Sequence, residues 1–214
     1  MSWLGIYGAS GFGREVMGML RPSALQGRRP VFIDDACGLD LVNGRPCMSF
    51  DQFASDAPSG SAVSIAIADA AVRRSIAEKC GNAGLLFATV KAENVMILDD
   101  VKIGDGSIIC PFVTVTSNVR IGRHFHANIY SYIAHDCSIG DFVTLAPGVK
   151  CNGNVRIDDN AYIGAGAIIR QGAAAEPLVI GRGAVVGMGA VVTKSVPDGM
   201  TVVGSPARKF EKEN

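Results

Sequence analysis

The sequence predicts two structural units of different kinds: a small α/β domain with a parallel sheet, and then a parallel β-helix built from hexapeptide repeats. Two observations lead to this prediction. Up to about residue 92, strand-like and helix-like stretches alternate, which is typical of a parallel sheet with helices packed on it. From about residue 95, an apolar residue recurs at every sixth position, and a short fixed period of this kind indicates a solenoid.

The composition argues against several classes of protein. The 214 residues include 20 Lys and Arg against 20 Asp and Glu, so no net field attracts nucleic acid or an anionic membrane. No apolar run approaches the roughly 18 residues needed to cross a bilayer, and the first residues lack the basic segment of a signal peptide. The six cysteines show no CxxC pair and no ligand-like spacing. We therefore expect a cytoplasmic protein with reduced thiols and no bound metal.

The first unit is predicted from its elements in order. WLGIYG is a short buried strand, followed by the glycine-rich turn GASGFG and a helix over REVMGMLRPS. PVFIDD is a second strand that ends in two acids, and SAVSIAIAD is a third strand. AAVRRSIAEKCGNAG is a helix that ends at a glycine. These elements predict a small Rossmann-like domain over residues 1–92.

The carboxyl ends of these three strands are where a ligand is expected. Gly8, Gly11 and Gly13 lie between the first strand and the first helix, where backbone can approach a pyrophosphate at the helix N-terminus. The second strand ends in two acids that can accept hydrogen bonds from ribose or base, and the third ends at residues 68–69. A full dinucleotide fold needs more than about 90 residues, which argues against dehydrogenase chemistry.

The second unit is predicted from 13 consecutive six-residue repeats, in which one position of the repeat never holds a charged or polar residue. These positions, and those where the frame returns after a break, are Ile97, Ile103, Ile109, Val115, Ile121, Ala127, Ile133, Ile139, Leu145, Cys151, Ile157, Ile163 and Ile169, then Ile180, Val186 and Val192. A second apolar or small residue stands two positions before each of the first 13. Residues two apart on a strand share a face, so each six supplies one short strand with two inward side chains and a tight corner. Three sixes then complete a triangular coil of 18 residues.

One of the three histidines stands at a corner of this repeat. His135 lies two residues after Ile133, and one coil further on the same corner holds Gly153. Two coils on it holds Gln171, where QGAAAEP inserts five extra residues. The glycine can offer an unobstructed backbone N–H, Asp136 is an acidic neighbour, and an inserted loop on the same edge can cover a ligand. These features favour a functional histidine over a solvated corner residue.

The carboxylate that partners this histidine is left open by the sequence. Adjacent residues of a strand point to opposite faces, so Asp136 reaches His135 only if the corner bends the chain. Asp141 and Asp159 are other carboxylates in the region.

Five features cover almost the whole chain and carry a resemblance to a known family: GASGFGREV, FIDD, the hexad array, AHDCSIGDFVTLAPGVKCNGNVRI and VPDGMTVVGSPARKF. Together they resemble the bacterial nucleotide-sugar N-acetyltransferases, which acetylate the amine of a 4-amino-4,6-dideoxyhexose and belong to a superfamily that includes the sialic acid O-acetyltransferase. The resemblance implies a left-handed helix, acetyl-CoA as co-substrate, and a homotrimer with active sites between subunits. It implies a nucleotide-sugar-binding domain over 1–92, a catalytic domain over 93–196 and a tail over 197–214, in glycan or lipopolysaccharide assembly.

The resemblance also implies roles for the corner residues. His135 is the general base, Asp136 raises its basicity, and the N–H of Gly153 is the candidate donor to the oxyanion. This chemistry is physically sensible, because an amine must lose a proton as it attacks a thioester and an imidazole suits that transfer. A carboxylate stabilises the imidazolium that forms, and a backbone donor stabilises the developing oxyanion. Cys137 and Cys151 occupy inward positions and are expected to be core residues.

Further contacts implied by the resemblance fall in both units. Those to acetyl-CoA are Thr144, Gly153, Ala165, a glycine such as Gly183 or Gly187, and Lys194, with Arg208 as a second cation for the phosphates. Those to the nucleotide sugar are Gly11, Phe12, Gly13, Arg14, Asp34, Asp35, Ala68 and Asp69. The nucleotide stays open among UDP, GDP and dTDP.

Three alternatives remain. The first is an O-acetyltransferase that acts on a sialic-acid-like sugar, although a nucleotide-binding first domain favours N-acetylation. The second is a zinc hydratase of the carbonic anhydrase type, for which His124, His126 and His135 are the available ligands. The third is a non-catalytic scaffold that binds a nucleotide sugar, in which replacing His135 leaves every activity untouched.

Overall fold

A computed structural model describes residues 1–211. The chain divides into two compact units, one formed by Met1–Glu93 with Asp105–Ile108 and the other by Asn94–Gly104 with the residues from Ile109 onward. Of the predicted tail over 197–214, residues 212–214 lie outside the described part. Among the described residues, no helix has both the length and the apolar character to span a membrane.

The first unit is a parallel sheet with helices, as its alternating pattern predicts. Its strands follow the order β3-β4-β2-β1-β5-β6, with β1 paired in parallel to β2 and β5. The bounds of its elements are β1 (Trp3–Tyr7), α1 (Gly11–Met19), α2 (Pro22–Leu25), β2 (Arg29–Ile33), β3 (Leu41–Val42), β4 (Arg45–Met48), α3 (Phe50–Asp56), β5 (Ala62–Ile65), α4 (Ala70–Asn82), β6 (Leu86–Phe87) and β7 (Val90–Lys91). The three predicted strands and two predicted helices are all present, within a few residues of the predicted bounds.

The connection between the second and third predicted strands holds structure that the sequence analysis missed. It contains the antiparallel hairpin β3–β4, whose turn is Asn43–Gly44, and the helix α3. An Asn-Gly pair is a strong hairpin signal. Ser49 and Gln52 form a capping box at the start of α3, in which each side chain bonds the other residue's backbone N–H. Both signals are readable in the sequence.

A single carboxylate ties several elements of this unit together. Asp35, just after β2, accepts hydrogen bonds from the Tyr7 hydroxyl of β1 at 2.8 Å and from the Phe50 N–H of α3 at 2.7 Å. Its Oδ2 also lies 3.5 Å from Lys79 Nζ of α4. The Phe50 N–H, followed by Tyr7 and Lys79, holds the pKa of the Asp35 carboxyl below its usual value. Asp35 is therefore a structural node of the sheet.

The second unit is a parallel β-helix with three faces, each a ladder of short parallel strands. Face 1 consists of β8 (Met96–Ile97), β11 (Thr114–Val115), β14 (Tyr132–Ile133), β17 (Lys150–Cys151), β20 (Ile168–Ile169) and β23 (Val191–Val192). Face 2 consists of β9 (Val101–Ile103), β12 (Val119–Ile121), β15 (Ser138–Ile139), β18 (Val155–Ile157) and β21 (Leu178–Ile180). From β10 onward, face 3 consists of β10 (Ile108–Ile109), β13 (His126–Ala127), β16 (Thr144–Leu145), β19 (Tyr162–Ile163), β22 (Val185–Val186), β24 (Thr201–Val203) and the antiparallel β25 (Arg208–Lys209).

The register between coils is the predicted one of 18 residues. Val115 pairs with Ile133, Ile133 with Cys151, and Cys151 with Ile169. The inward positions of the repeat form one continuous apolar core along the helix. Part of the predicted tail belongs to this core, because Val202 of β24 is buried against it.

The three corners of each coil turn on a residue in the left-handed conformation. From residue 100 to residue 166, every sixth residue has a positive φ. Each corner takes the number of the face that precedes it in the chain. Corner 1 contains Asp136 and Asn154, corner 2 contains Phe142 and Asn160, and corner 3 contains Gly148 and Gly166. Asn, Asp and Gly tolerate this conformation best. At each of these corners the chain therefore departs from the strict side-chain alternation of a straight strand.

The first prediction concerns the carboxylate node of the sheet. Asp35→Asn keeps the shape but removes the charge, and we expect the free energy of unfolding at pH 7 to fall by about 1 kcal/mol. Because the folded carboxyl has a lowered pKa, its contribution is fully present above the ordinary value of about 4 and is lost as the pH falls through the folded pKa. Urea unfolding of both proteins at pH 7, 5 and 3 measures this difference.

The difference in the free energy of unfolding between wild type and Asp35→Asn should be smaller at pH 3 than at pH 7. Asp40→Asn removes an exposed carboxylate of the same unit and serves as the control, with little expected change. A stability difference for Asp35→Asn that stays constant with pH would show that charge is not the cause.

Candidate active site

Corner 1 brings His135 and Gly153 into direct contact. A Cβ added to Gly153 would lie 2.6 Å from Cε1 and 2.7 Å from Nε2 of the imidazole, so the ring rests against the bare glycine one coil further on. The Asn154 N–H donates to the His135 carbonyl at 3.0 Å, which fixes the spacing of the two coils at this point. Any larger residue at position 153 would displace the ring.

Asp136 is the carboxylate that meets this histidine. Its φ of 58° turns the chain at the corner, and its Oδ2 lies 2.7 Å from His135 Nδ1. Asp141 and Asp159 are at corner 2, where their Oδ1 atoms accept from the N–H groups of Arg123 and Asp141 one coil earlier. The hydrogen bond from His135, followed by one from Asn118, holds the pKa of the Asp136 carboxyl below its usual value. Asp136 is thus ionised where it faces the imidazole.

Two polar groups at this contact make no hydrogen bond to any residue of the range 1–211. His135 has a side chain that is 49% exposed, and within residues 1–211 no hydrogen bond engages its Nε2. The Gly153 N–H likewise makes no hydrogen bond to any residue of that range, although the Gly153 carbonyl accepts from Gly172. A base nitrogen and a backbone donor are therefore adjacent at one corner.

The two cysteines next to this corner are inside the helix, as their positions predict. Cys137 is 2% exposed and Cys151 is fully buried. The Cys137 thiol lies 3.3 Å from the Asn152 carbonyl. A hydrogen bond to Cys137, together with burial, raises the pKa of the Cys151 thiol well above its usual value, so Cys151 stays a protonated core residue.

The residues expected to contact acetyl-CoA are spread over the helix. Gly153 and Lys194 belong to corner 1, Lys194 following β23 of face 1. Thr144 lies on face 3 and is only 3% exposed. The others are distributed over the remaining edges: Ala165 and Gly187 at corner 3, Gly183 at corner 2 and Arg208 in β25. A single chain does not bring this set together along one edge.

A cavity of about 350 Å³ lies at corner 1, beyond Gly153 in the stack. The insertion forms part of its wall, where Ala173 and Glu176 bond each other's backbone in a tight loop. Arg170 and Lys194 also line the cavity. The insertion thus leaves the helix at the corner that holds His135, as the register predicts, and two cations accompany it.

The three histidines do not converge in the chain. His124 and His126 are buried around corner 2 and face 3, and the His124 ring stacks on Phe142 with centroids 4.8 Å apart. In the part of the chain that the structure describes, no three His, Cys, Asp or Glu side chains are grouped to hold a metal ion. This arrangement gives no support within the chain to the zinc hydratase alternative.

In the first unit, the glycine-rich turn leads into α1 as predicted. Gly13 packs against the Gly8 carbonyl, where any side chain would clash, while Gly11 is surrounded by open space. The Ser10 side chain does not cap the helix, and the first turn carries no acid. Phe12 and Arg14 belong to the same turn and are half-buried and exposed. The helix N-terminus therefore has the polarity and the space that an anion requires.

The two acids after β2 have different surroundings. Asp34 Oδ2 accepts from the Ala9 N–H at 2.8 Å and Oδ1 from the Ala36 N–H at 3.0 Å, so its carboxylate fixes the glycine-rich turn. Asp35 is committed to the structural contacts described above. Each Asp34 oxygen keeps a second lone pair for a ligand.

Sequence reasoning missed a buried arginine behind the third strand. Arg73 of α4 is fully buried, and its Nη1 donates to the carbonyls of Ile67 at 2.6 Å and Ala68 at 3.0 Å. Burial lowers the pKa of its guanidinium to about 10. Asp69 caps the same helix by accepting from the Val72 N–H. Arg73 lies with Ala77 and Cys80 on the buried face of α4. Arginine is rarely buried without a partner, so its occurrence on an apolar helix face is a signal that the sequence contains.

Comparison with known proteins places this architecture in a family. Residues 4–80 match the PglD N-terminal domain. The GDP-perosamine N-acetyltransferase of Escherichia coli O157:H7 is 48% identical over 216 residues, which cover 99% of this chain and 98% of that protein.

Two solved structures are similar over nearly their whole length. WeeI from Acinetobacter baumannii AYE has a TM-score of 0.94 and 52% identity, covering 97% of this chain and 99% of that one. The acetyltransferase domain of PglB from Neisseria gonorrhoeae FA1090, in complex with acetyl coenzyme A, has a TM-score of 0.88 and 29% identity, covering 98% and 99%. The chain therefore belongs to the family of nucleotide-sugar N-acetyltransferases. This confirms the predicted fold class, a Rossmann-like domain followed by a left-handed β-helix. It also confirms the predicted enzyme class and the acetyl-CoA co-substrate.

The second prediction concerns the contact between the imidazole and the glycine. Gly153→Ala introduces a methyl group where the ring lies, so the ring must move, and a displacement of about 1 Å at a reacting group can cost on the order of 10²-fold in kcat. Steady-state acetyl transfer measures the loss, and a thermal melt checks that the fold is kept. Gly18→Ala, in open space on α1, is the matched control. Full activity of Gly153→Ala would mean that the ring position does not matter.

Proposed function

We propose that the protein transfers the acetyl group of acetyl-CoA to the 4-amino group of a GDP-linked 4-amino-4,6-dideoxyhexose, with His135 as general base. The observation that carries this proposal is the arrangement at corner 1, where His135 Nδ1 meets the Asp136 carboxylate and the ring rests on Gly153. The relative from Escherichia coli O157:H7, at 48% identity, is a GDP-perosamine N-acetyltransferase, and perosamine is a 4-amino-4,6-dideoxyhexose. This relative supports both the guanine nucleotide and the amine acceptor.

The proposed reaction is a direct attack on the thioester. The amine nitrogen forms a bond to the acetyl carbonyl carbon while His135 Nε2 accepts the proton that the nitrogen loses. The carbonyl oxygen becomes an oxyanion, to which the Gly153 N–H donates. The C–S bond then breaks, and the proton on the imidazolium passes to the departing thiolate to give CoA and the acetamido sugar.

Asp136 has a supporting role in this step. A carboxylate at Nδ1 favours the tautomer that carries its proton on Nδ1, which leaves the Nε2 lone pair free to act as base. The same negative charge stabilises the imidazolium that forms during the attack. No cysteine nucleophile is required, in agreement with the burial of Cys137 and Cys151.

The acetyl-CoA contacts are proposed to come from two subunits of a homotrimer. Gly153 and Lys194 share corner 1 with the base, while Thr144, Ala165 and Gly183 lie on other edges of the same chain. One extended ligand touches the whole set only if a second copy presents the other edges to corner 1. Arg170 and Lys194 would then meet the CoA phosphates as charged donors.

The nucleotide is proposed to bind the carboxyl edge of the first sheet. The N-terminal turn of α1, with Gly11, Phe12, Gly13 and Arg14, would receive the pyrophosphate. Asp34 would accept from the base or ribose, and the backbone at residues 68–69 would complete the edge. Asp35 and Arg73 would act indirectly, because each holds backbone of this edge in place.

The test is acetyl-CoA turnover, followed by thiol release, on a panel of GDP-, UDP- and dTDP-linked 4-amino sugars. We expect turnover with the GDP sugar, and a loss on the order of 10²-fold or more in His135→Ala. Preference for UDP or dTDP would overturn the nucleotide assignment alone. Full activity of His135→Ala would overturn the base. Turnover with none of the amino sugars would overturn the amine acceptor, and turnover in a second assay with hydroxyl sugars would then favour the O-acetyltransferase alternative.

A further inference from the structure

We propose that Asn118 is a positioning residue, which holds the Asp136 carboxylate in the orientation that meets the His135 imidazole. The inference deepens the proposed function and rests on it. Asn118 was not among the candidates from the sequence, because it stands a full coil before the histidine. The stacking of coils places Asn118 next to Asp136.

The geometry is a chain of two hydrogen bonds through one carboxylate. Asn118 Nδ2 donates to Asp136 Oδ1 at 3.1 Å, and Asp136 Oδ2 lies 2.7 Å from His135 Nδ1. Each oxygen thus has its own partner. Because the final torsion of an aspartate is broad and roughly two-fold, one partner leaves the carboxylate free to swing, and two partners on opposite oxygens define its plane.

The backbone at both ends of this chain is fixed by the stacking of coils. Asn118 and Asp136 have the same left-handed φ of 58° at corner 1 of successive coils. The Asn118 N–H donates to the Asp99 carbonyl at 3.0 Å, and the Asp136 N–H donates to the Ser117 carbonyl at 3.1 Å. The distance between the two side chains is therefore set by the coil spacing, and the amide needs no further support.

An asparagine suits this position chemically as well as conformationally. Its amide donates without adding charge, whereas a carboxylate in its place would repel Asp136 and a lysine would compete with the imidazole for it. The side chain of Asp136 is 47% exposed, so water competes for its oxygens. A fixed donor on Oδ1 reduces the orientations in which Oδ2 turns away from the ring.

A purely structural role must be separated from positioning, because asparagine also favours the left-handed conformation by itself. Asn118→Gly makes this separation, since glycine adopts the same φ without strain and removes only the amide. Asn160→Gly is the matched control: the same exchange at a left-handed corner residue, φ 60°, of corner 2.

The experiment measures steady-state acetyl transfer in the intact enzyme for these variants, for His135→Ala and for Asp136→Gly. We expect kcat of Asn118→Gly to fall roughly 5- to 20-fold, which is around the low end for a hydrogen bond to a charged group because water also reaches the carboxylate. KM for acetyl-CoA should stay within about twofold of the wild-type value. Asn160→Gly should keep the wild-type kcat. In the Asp136→Gly background, adding Asn118→Gly should not lower kcat any further, because the amide acts only through that carboxylate.

A spectroscopic measurement completes the test. Nitrogen-15 shifts of the histidine rings report which nitrogen of His135 carries the proton, and we expect Asn118→Gly to mix the two tautomers where the wild type shows the Nδ1–H form. Wild-type kcat and an unchanged tautomer in Asn118→Gly, together with an inactive His135→Ala, would overturn this inference alone. Full activity of His135→Ala would instead overturn the proposed function beneath it. A further loss on adding Asn118→Gly to Asp136→Gly would show that Asn118 acts by another route.

Discussion

The stacking of 18-residue coils in register is the constraint on which the rest of the structure depends. Two inward side chains per face fix how one coil lies on the next, because a shift by one residue would turn the apolar positions outward. The pairing of Ile133 with Cys151 is one step of this ladder. It places Gly153 above His135 and Asp136 above Asn118 as a geometric consequence. The site is thus built by register, from residues about 18 positions apart.

The left-handed corners give this scaffold its chemistry. In a straight strand, His135 and Asp136 would point to opposite faces, but the positive φ at Asp136 brings the two side chains together. Such a conformation costs roughly 1–2 kcal/mol for a residue other than glycine, and the core of the helix has to offset this. Aromatic residues at two corners recover part of the cost by stacking, as Phe112 and Tyr130 do with centroids 4.8 Å apart. The corner therefore holds the imidazole and the carboxylate against each other, as the proposed general base requires.

Much of the fold could be predicted from periodicity alone. The six-residue repeat defines the inward positions, the coil length and the corner that holds His135, since each follows from counting. Family resemblance was needed for the handedness. The hairpin at Asn43–Gly44 and the helix capped by Ser49 were missed because their local signals are short, although both signals are in the sequence.

The parts of the candidate site that follow from the 18-residue register of the coils could be predicted from the sequence. His135, Gly153 and the insertion share one corner as expected, whereas the bend at Asp136 depends on a backbone conformation that no alternation pattern reveals. Asn118 was missed because its partner Asp136 lies 18 positions away in the sequence, and only the folded chain brings the two together. Arg73 was missed although its place on the buried face of α4 can be read from the sequence. The expected acetyl-CoA contacts divide among several edges of one chain, and register within that chain carries no information about the second copy that we propose to complete the site.

A crystal structure of the protein with CoA bound would show whether acetyl transfer takes place at corner 1. We expect the CoA sulfur to lie at this corner, within roughly 3.5 Å of His135 Nε2 and next to the Gly153 N–H. A sulfur at corner 2 or corner 3 of every chain in the assembly, away from His135, would contradict this expectation.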